Sequence, residues 1–173
     1  MSPKVSVIIP VYNSEKVIEN SIISILGQTY PNIELIIVDD SSTDDSYVIA
    51  KTFESDRCKI IRQKNAGAAA ARNTGLAHAT GKYVQFLDVD DFLSKGKIEK
   101  QVFVLEKNPG KVAVCNYIEF FSEAELSSKS VNSEQSEFIF SSDDPAEFLI
   151  NLYGGSGRPH FIQTNSWLIP RTL

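Results

Sequence analysis

The sequence predicts an α/β fold, with a mostly parallel β-sheet and helices on both of its faces. Short, almost continuously apolar segments alternate with segments of helical periodicity over the first two-thirds of the chain. Strands that are apolar along their whole length are typical of parallel sheets buried on both faces. Three of these segments end in polar clusters, and ligands bind α/β sheets at the carboxyl ends of the strands. The pattern therefore predicts both the fold and the edge of the sheet that carries a site.

Five strands are expected, because each segment is a short run of apolar or β-branched residues bounded by turn-forming or polar ones. The predicted strands are Val5 to Pro10, Ile33 to Val38, Lys59 to Arg62, Lys82 to Leu87 and Val112 to Tyr117. The first, second and fourth of them are followed by Tyr12-Asn13, Asp39-Asp40 and Asp88 to Asp91. Since carboxyl ends of parallel strands lie at one edge of a sheet, these clusters are expected to converge.

Helices are predicted between the strands. The first is capped by Asn13 or Ser14 and ends at residues 30–32, where Pro31 interrupts the pattern. Its core-facing residues are Ile18, Ile22, Ile25 and Leu26. The second helix is capped by Thr43, with acidic residues in its first turn. Its core-facing residues are Val48, Ile49 and Phe53.

The third and fourth helices complete the alternation. An Ala-rich segment from Ala68 to Ala79 predicts the third, and Gly81 is expected to close it as a C-terminal glycine. Ile98 to Leu105 predicts the fourth, before Pro109.

The last third of the chain has a weaker pattern. Residues 122–137 are rich in Ser and Glu and are interpreted as a loop. Further expectations are a strand at Phe138 to Phe140, a helix at Pro145 to Leu152, a loop at 154–157 and a strand at Phe161 to Ile169.

The composition is that of an ordinary globular domain and argues against several classes of function. Hydrophobic residues make up 42% of the 173 residues, charged residues 23%, and the net charge is −5. This acidic balance, with scattered Lys and Arg, argues against nucleic-acid binding. No apolar stretch approaches a membrane span, and no signal-peptide pattern precedes the first strand. Cys58 and Cys115 are interpreted as buried reduced thiols, which predicts a cytoplasmic protein.

The segment Phe86-Leu87-Asp88-Val89-Asp90-Asp91 carries the strongest chemical signal. Three carboxylates within four positions, at the end of an apolar strand, repel one another and are costly to desolvate. A divalent cation removes both problems, and Mg²⁺ sites often combine one or two carboxylates with substrate phosphates. The segment therefore indicates a metal and diphosphate site. A solvated acidic turn that caps the next helix is the alternative.

Five motifs in register resemble the inverting family-2 glycosyltransferases of the GT-A fold. They are VSVIIPVYN at 5–13, QTYPN at 28–32, IIVDDSSTD at 36–44, GAAAARNTGL at 67–76 and FLDVDDF at 86–92. The resemblance covers roughly residues 4–110 and implies a GT-A Rossmann-like sheet. It also implies a nucleotide-diphosphate-sugar donor, in many members a uridine one, held with Mn²⁺ or Mg²⁺.

The resemblance also implies roles for individual residues. Pro10, Val11 and Tyr12 would line the base pocket, with Tyr12 against the ring. Asp40 would accept a hydrogen bond from the base, and Arg72 would lie beside the base or the phosphates.

The acidic segment would complete the donor site. By the same resemblance, Asp90 would be the direct metal ligand, and Asp88 would reach the ribose or the metal's water shell. Val89, between them, would contact the donor. Asp91 would support the metal ligands or cap the following loop.

One part of the family pattern has no counterpart here. Inverting transfer needs a carboxylate base that takes the proton of the acceptor hydroxyl. In the family this base follows a phrase like Asn165 to Arg171, but no Asp or Glu follows Glu147. The base is therefore expected beyond Leu173, and the chain is interpreted as a truncated GT-A domain. Residues 1–120 would be its nucleotide-sugar-binding half and 121–173 the start of its acceptor side.

Two other classes of function fit the same residues poorly. A haloacid-type phosphatase wants its Asp-x-Asp nucleophile near the first strand, whereas here the motif ends the fourth. A nicotinamide dehydrogenase needs a Gly-rich turn after the first strand, and residues 10–14 have none. The alternative that stays open is a module that binds a nucleotide-sugar without transferring it. The acceptor is expected to be a glycan or a lipid-linked glycan, with peripheral contact at the inner face of the membrane in the second case.

Overall fold

The computed structural model of the chain describes residues 2–118, 125, 142, 144, 147, 148 and 162–172. Within these residues, six strands form one sheet in the order β3-β2-β1-β4-β6-β5. The strands are β1 (Val5–Val11), β2 (Ile33–Asp39), β3 (Cys58–Arg62), β4 (Tyr83–Phe86), β5 (Ala113–Val114) and β6 (Trp167–Pro170). The helices are α1 (Ile18–Leu26), α2 (Ser46–Lys51), α3 (Ala68–His78) and α4 (Lys97–Lys107), and Thr164–Ser166 forms a 3₁₀ turn, here the 164–166 turn.

The first four strands are parallel and the last two make the sheet mixed. β1 pairs with β2 from Val5 opposite Ile33 to Val11 opposite Asp39, and it pairs with β4 on its other side. β6 is antiparallel to both β4 and β5. The strand order reverses at β1, so the carboxyl ends of β1 and β4 flank the position where α/β sheets bind ligands.

Helices cover both faces of the sheet, as predicted. Alternate residues of β1 point to opposite faces, so Val7 and Ile9 join one core cluster and Ile8 the other. The first cluster contains buried residues of α1, α2 and α4, and the second contains Ala71 of α3. Two separate apolar layers therefore cover the sheet: α1, α2 and α4 pack on one face and α3 packs on the other.

A glycine sets the distance of α3 from the sheet. A Cβ on Gly75 would lie 2.3 Å from Cγ2 of Ile8, closer than nonbonded carbons approach. The absence of a side chain lets α3 pack directly on β1. Because α3 also supplies Arg72, this close packing places that residue at the edge of the sheet.

The beginnings of two helices differ from the sequence prediction. α1 begins after Val17, and the side chain of Asn13 binds Thr43 instead of capping it. α2 begins at Ser46. The hydroxyl and the N–H of Thr43 both donate to Asn13, so Thr43 does not cap this helix. Asp44 accepts from Ser46 N instead. The predicted caps were therefore wrong: Asn13 and Thr43 bind each other across the two loops, and Ser14 Oγ donates to the carbonyl of Tyr12.

Some predicted core positions and one helix end were also wrong. Val48 is 62% and Leu26 37% exposed, since short helices bury fewer positions than their periodicity suggests. α3 ends at His78, and Gly81 does not cap it. A Cβ on Gly81 would lie 2.6 Å from Ser6 Oγ, so this glycine serves close contact with β1.

The strands of the last third are shorter than predicted where they are described. β5 covers only two residues, because it pairs with only Leu168 and Trp167 of β6. The predicted strand from Phe161 to Ile169 is divided between the 164–166 turn and β6. The expectations for 138–140 and 154–157 lie outside the described residues, as do those for 122–137 apart from residue 125 and for most of 145–152. In the described part of the chain, no helix is long and apolar enough to cross a membrane.

Candidate functional site

Hydrogen bonds join the loops after β1 and β2 into one surface, here called the β1–β2 rim (residues 12–15 and 40–46). Asn13 N donates to Ser42 Oγ at 3.0 Å, and Asn13 Oδ1 accepts from Thr43 N at 2.8 Å. Ser14 N donates to Ser46 Oγ at 2.6 Å. Asn13 and Ser41 adopt positive φ angles of 49° and 64°, conformations that cost energy for residues other than glycine. The rim is therefore held in a defined shape by side-chain contacts across adjacent strand ends.

Three predicted base-pocket residues lie in this rim or in the end of β1 beside it, in different environments. Tyr12 is 51% exposed, so its ring is accessible to a ligand. Pro10 is buried, and the side chain of Val11 belongs to the core beneath the sheet. The carbonyl of Val11 accepts from Asp40 N at 2.8 Å. Only Tyr12 among the three presents an exposed side chain.

Asp40 joins β2 to the beginning of α3. Its two carboxylate oxygens accept from Gln63 Nε2 at 2.7 Å, from Ala66 N at 3.0 and 3.2 Å, and from Gly67 N at 2.7 Å. Burial raises the pKa of Asp40, but these hydrogen bonds outweigh it and hold the pKa below its usual value. Asp40 is therefore an ionised group that fixes the segment leading into α3.

Arg72 and Asp88 form the link between α3 and the end of β4. Arg72 Nη2 pairs with Asp88 Oδ1, while Asp88 Oδ2 accepts from Thr164 Oγ1 at 3.0 Å. Arg72 Nε is buried and has no hydrogen-bond partner among the described residues. An unpartnered guanidinium nitrogen beside a strand end is a donor that a phosphate or base oxygen could satisfy.

The remaining acidic residues lie in the segment here called the acidic loop (residues 87–92). Asp90 is exposed, Asp91 is half-buried, and the carbonyl of Val89 accepts from the Ser21 hydroxyl of α1. Burial raises the pKa of Asp91 to about 6, the charges of Asp90 and Asp88 add to this, and a hydrogen bond from Asn165 opposes it. The loop therefore carries negative charge that the surrounding side chains do not balance.

The donor atoms of the acidic loop suit a hard divalent cation, although the site is incomplete. Among the described residues, no group of three His, Cys, Asp or Glu side chains is placed to hold a metal ion. Both oxygens of Asp88 already have partners, so Asp90 is the more accessible of the two predicted ligands. Oxygen ligands and unbalanced negative charge fit Mg²⁺ or Mn²⁺, with a substrate diphosphate supplying further oxygens.

Sequence reasoning missed the residues that reach this edge from elsewhere in the chain. Thr164 and Asn165 contact Asp88 and Asp91 from more than 70 positions away, and no spacing signal connects them. Gln63 was also missed. A weak signal did exist for Lys97 and Gln101, since they share helical spacing with the buried Leu105.

Comparison with known proteins identifies the family. The family model described as Glycosyl transferase family 2 matches residues 6–169. The chain belongs to this family. The predicted family is thereby confirmed, and with it the enzyme class of the family, glycosyl transfer.

Several curated glycosyltransferases are similar to part of the chain. The putative teichuronic acid biosynthesis glycosyltransferase TuaG of Bacillus subtilis is 46% identical over 110 residues, which are 61% of this chain and 44% of TuaG. The Escherichia coli enzyme WfgD, a UDP-Glc:alpha-D-GlcNAc-diphosphoundecaprenol beta-1,3-glucosyltransferase, is 42% identical over 114 residues, covering 65% of this chain and 45% of WfgD. The chain spans 17% to 49% of the length of three other curated relatives that it matches.

Two solved structures share the fold of the chain. The crystal structure of S. aureus TarS 1-349 in complex with UDP-GlcNAc superposes with a TM-score of 0.76 at 25% identity, over 98% of this chain and 46% of TarS 1-349. The mannosyltransferase PcManGT from Pyrobaculum calidifontis, in complex with GDP-Man and Mn²⁺, superposes with a TM-score of 0.68 at 22% identity, over 99% of this chain and 46% of PcManGT. The predicted GT-A Rossmann-like fold is confirmed.

Proposed function

We propose that this chain binds a nucleotide-diphosphate-sugar, with UDP as the nucleotide, for inverting transfer of the sugar to a glycan or lipid-linked acceptor. The observation that carries the proposal is the convergence of the β1–β2 rim, the Arg72–Asp88 pair and the acidic loop at the carboxyl ends of β1, β2 and β4. An exposed aromatic ring, a cation with a free donor and an oxygen-rich acidic loop match the three parts of such a donor: base, diphosphate and metal. The UDP-sugar named for WfgD and the UDP-GlcNAc bound to TarS support the choice of nucleotide.

Each residue contributes a distinct interaction to donor binding in this proposal. Tyr12 stacks on the base, since its half-exposed ring lies on a rigid rim. Arg72 donates from its unpartnered Nε toward the base or a phosphate. Asp40 receives the base only if one of its present hydrogen bonds is exchanged, because its oxygens already accept from three groups.

The acidic loop provides the metal-binding part of the site. Asp90 would hold Mn²⁺ or Mg²⁺ directly, Asp88 would reach the water shell of the metal, and the neighbouring Val89 would contact the donor. A bound divalent cation would neutralise the charge that grows on the departing diphosphate. No residue of this chain is proposed as the general base. With a lipid-linked acceptor the transfer would take place at the cytoplasmic face of a membrane.

Titration calorimetry of UDP into the protein, in Mn²⁺ and in EDTA, tests the donor site. UDP is expected to bind in Mn²⁺ and to bind at least about tenfold more weakly in EDTA, because EDTA removes the cation. Asp90→Ala should weaken binding in Mn²⁺ to a similar extent, because it removes a ligand of the cation. Asp56→Ala is the matched control, since Asp56 is an exposed aspartate before β3, at the opposite edge of the sheet. No heat for UDP, and then none for GDP or dTDP, would overturn the assignment.

A second measurement separates a transferase from a module that only binds. Release of free sugar from UDP-GlcNAc or UDP-Glc, followed over hours, would show that the chain activates the donor. Tight UDP binding with no hydrolysis and no transfer would favour the binding module.

A further inference from the structure

A lysine is buried against β4, the strand that leads into the acidic loop, and a buried charge is costly unless it has a partner. Lys97, the first residue of α4, is only 8% exposed. Its Nζ donates to Oε1 of Gln85, a fully buried residue of β4. Burial lowers the pKa of Lys97 to about 8, which the nearby Cys115 partly opposes. A buried polar pair of this kind calls for a structural or functional explanation.

The lysine determines which way the Gln85 amide points. The Nζ ammonium of Lys97 can only donate, so the carbonyl oxygen of Gln85 faces it. The NH₂ group of Gln85 therefore faces the other way. It donates to the carbonyls of Asn165 at 3.2 Å, Thr164 at 3.4 Å and Phe86 at 2.6 Å.

The 164–166 turn thus lies on polar groups that extend from the core. Its last carbonyl, that of Ser166, accepts from Gln101 Nε2 at 2.8 Å and from Cys115 N at 3.1 Å. All three carbonyls of the turn have donors that come from β4, α4 or the segment after β5. Groups from other parts of the fold therefore hold the turn in place, in addition to its own backbone.

The side chains of the same turn contact the acidic loop. Thr164 Oγ1 donates to Asp88 at 3.0 Å, and the side chain of Asn165 donates to Asp91. A continuous path of hydrogen bonds therefore runs from Lys97 through Gln85 and the turn to two carboxylates of the acidic loop.

We propose that Gln85 and Lys97 are positioning residues of the donor site: they hold the 164–166 turn, which in turn sets the positions of Asp88 and Asp91. The inference rests on the proposed donor site at the acidic loop. It predicts that a change in the core, with no contact to the donor, weakens the metal-dependent part of UDP binding.

Two substitutions break the path at different points. Gln85→Glu keeps the shape and the contact with Lys97 but replaces the NH₂ donor by an oxygen that faces three carbonyls. Thr164→Val removes only the hydroxyl that binds Asp88, and Thr164→Ser restores it. Thr52→Val, at the exposed end of α2, and Lys100→Met, on the exposed side of α4, are matched controls.

The readout is UDP affinity in Mn²⁺ compared with EDTA. Gln85→Glu is expected to weaken binding in Mn²⁺ about tenfold and Thr164→Val about fivefold, since each removes hydrogen bonds that orient a charged group. In EDTA all variants should bind within about twofold of the wild type, and Thr164→Ser should approach wild-type affinity in Mn²⁺. If these residues had a merely structural role, UDP affinity would fall equally in Mn²⁺ and in EDTA. That result, or unchanged affinity in both conditions, would overturn the proposal.

Two measurements need no nucleotide and keep the inference separate from the proposed function. The chain has one tryptophan, Trp167, directly after the turn, so acrylamide quenching of its fluorescence should rise in Gln85→Glu and Lys97→Met but not in Lys100→Met. The carboxyl carbon of Asp88 should shift in the NMR spectrum of Thr164→Val and return in Thr164→Ser. If the wild type fails to bind UDP, the proposed donor is wrong. The quenching of Trp167 and the Asp88 resonance would still show whether Gln85 and Lys97 position the turn. Unchanged quenching and an unchanged Asp88 resonance would overturn it.

Discussion

The β1–β2 rim and the acidic loop lie at the same edge of the sheet but are stabilised in opposite ways. In the rim, hydrogen bonds join loops only 29 to 32 residues apart, and the carboxylate of Asp40 is surrounded by donors that lower its pKa. In the acidic loop, Asp88 is held by a residue 76 positions away, and burial with neighbouring charges raises the pKa of Asp91 to about 6.

This difference indicates which region depends on a ligand. The carboxylates of Asp40 and Asp44 in the rim are satisfied by the protein itself, so these groups need no donor molecule. The acidic loop keeps uncompensated charge, which a cation and its diphosphate would balance. The rim should therefore contribute to the stability of the fold, and the acidic loop to binding.

The largest effect is expected from Asp40→Ala in the rim. The substitution leaves Gln63, Ala66 and Gly67 without their acceptor, so it should lower the free energy of unfolding by about 2–3 kcal/mol. Urea denaturation at pH 7 measures the change, with Asp56→Ala as the exposed control. Equal stability of the two variants would contradict the role of Asp40 at the start of α3.

The next effect concerns the buried Lys97 and depends on pH. Its pKa falls to about 8 in the folded protein, so between about pH 8 and 10 the unfolded chain binds more protons than the folded one. The stability of the wild type should therefore rise relative to Lys97→Met over this range, by about 2 kcal/mol.

Among the residues that the structure describes, Cys115 is the other titratable group that acts on Lys97, and burial raises the pKa of its thiol. Both proteins should therefore carry Cys115→Ala, so that only the lysine differs in the denaturation series. If the free energy of unfolding changed in parallel in the two proteins from pH 7 to 10, folding would not lower the pKa of Lys97 and the prediction would be wrong.

A smaller effect is expected from Ser46→Ala, which opens the rim. Ser46 Oγ accepts from Ser14 N and donates to Asp44, so its loss should lower the free energy of unfolding by about 1 kcal/mol. Chemical denaturation compares it with Ser55→Ala, an exposed serine before β3. If both serines prove equally dispensable, the rim is not held by its cross-loop contacts.

The smallest effect, and one of opposite sign, is expected from Asp90→Ala in the metal-free protein. Removing one of three neighbouring carboxylates relieves repulsion, so the thermal midpoint should rise by about 1–2 °C at low salt. Screening at 1 M NaCl should abolish the difference, because the Debye length falls to about 3 Å. A lower midpoint would mean that Asp90 supports the fold and that the two regions are not distinct.

The parts of the site that the sequence could predict are those where chemistry follows a strand directly. Tyr12, Asp40 and Asp88 each come one or two residues after an apolar strand, and parallel pairing alone places them at one edge. Thr164 and Asn165 could not be predicted, since their position depends on β6 inserting between β4 and β5. The caps at Asn13 and Thr43 failed for the same reason: each side chain had a second partner on the neighbouring loop.

Local pattern thus determined the fold class, the parallel strands, the family and the acidic loop, because hydrophobic periodicity and short motifs act over a few residues. Tertiary structure alone decided which polar groups meet: Asp40 with the start of α3, Arg72 with Asp88, and Lys97 with Gln85 beneath the 164–166 turn. The physical reason is that a buried polar group must find a partner wherever packing provides one, and that partner can lie anywhere along the chain.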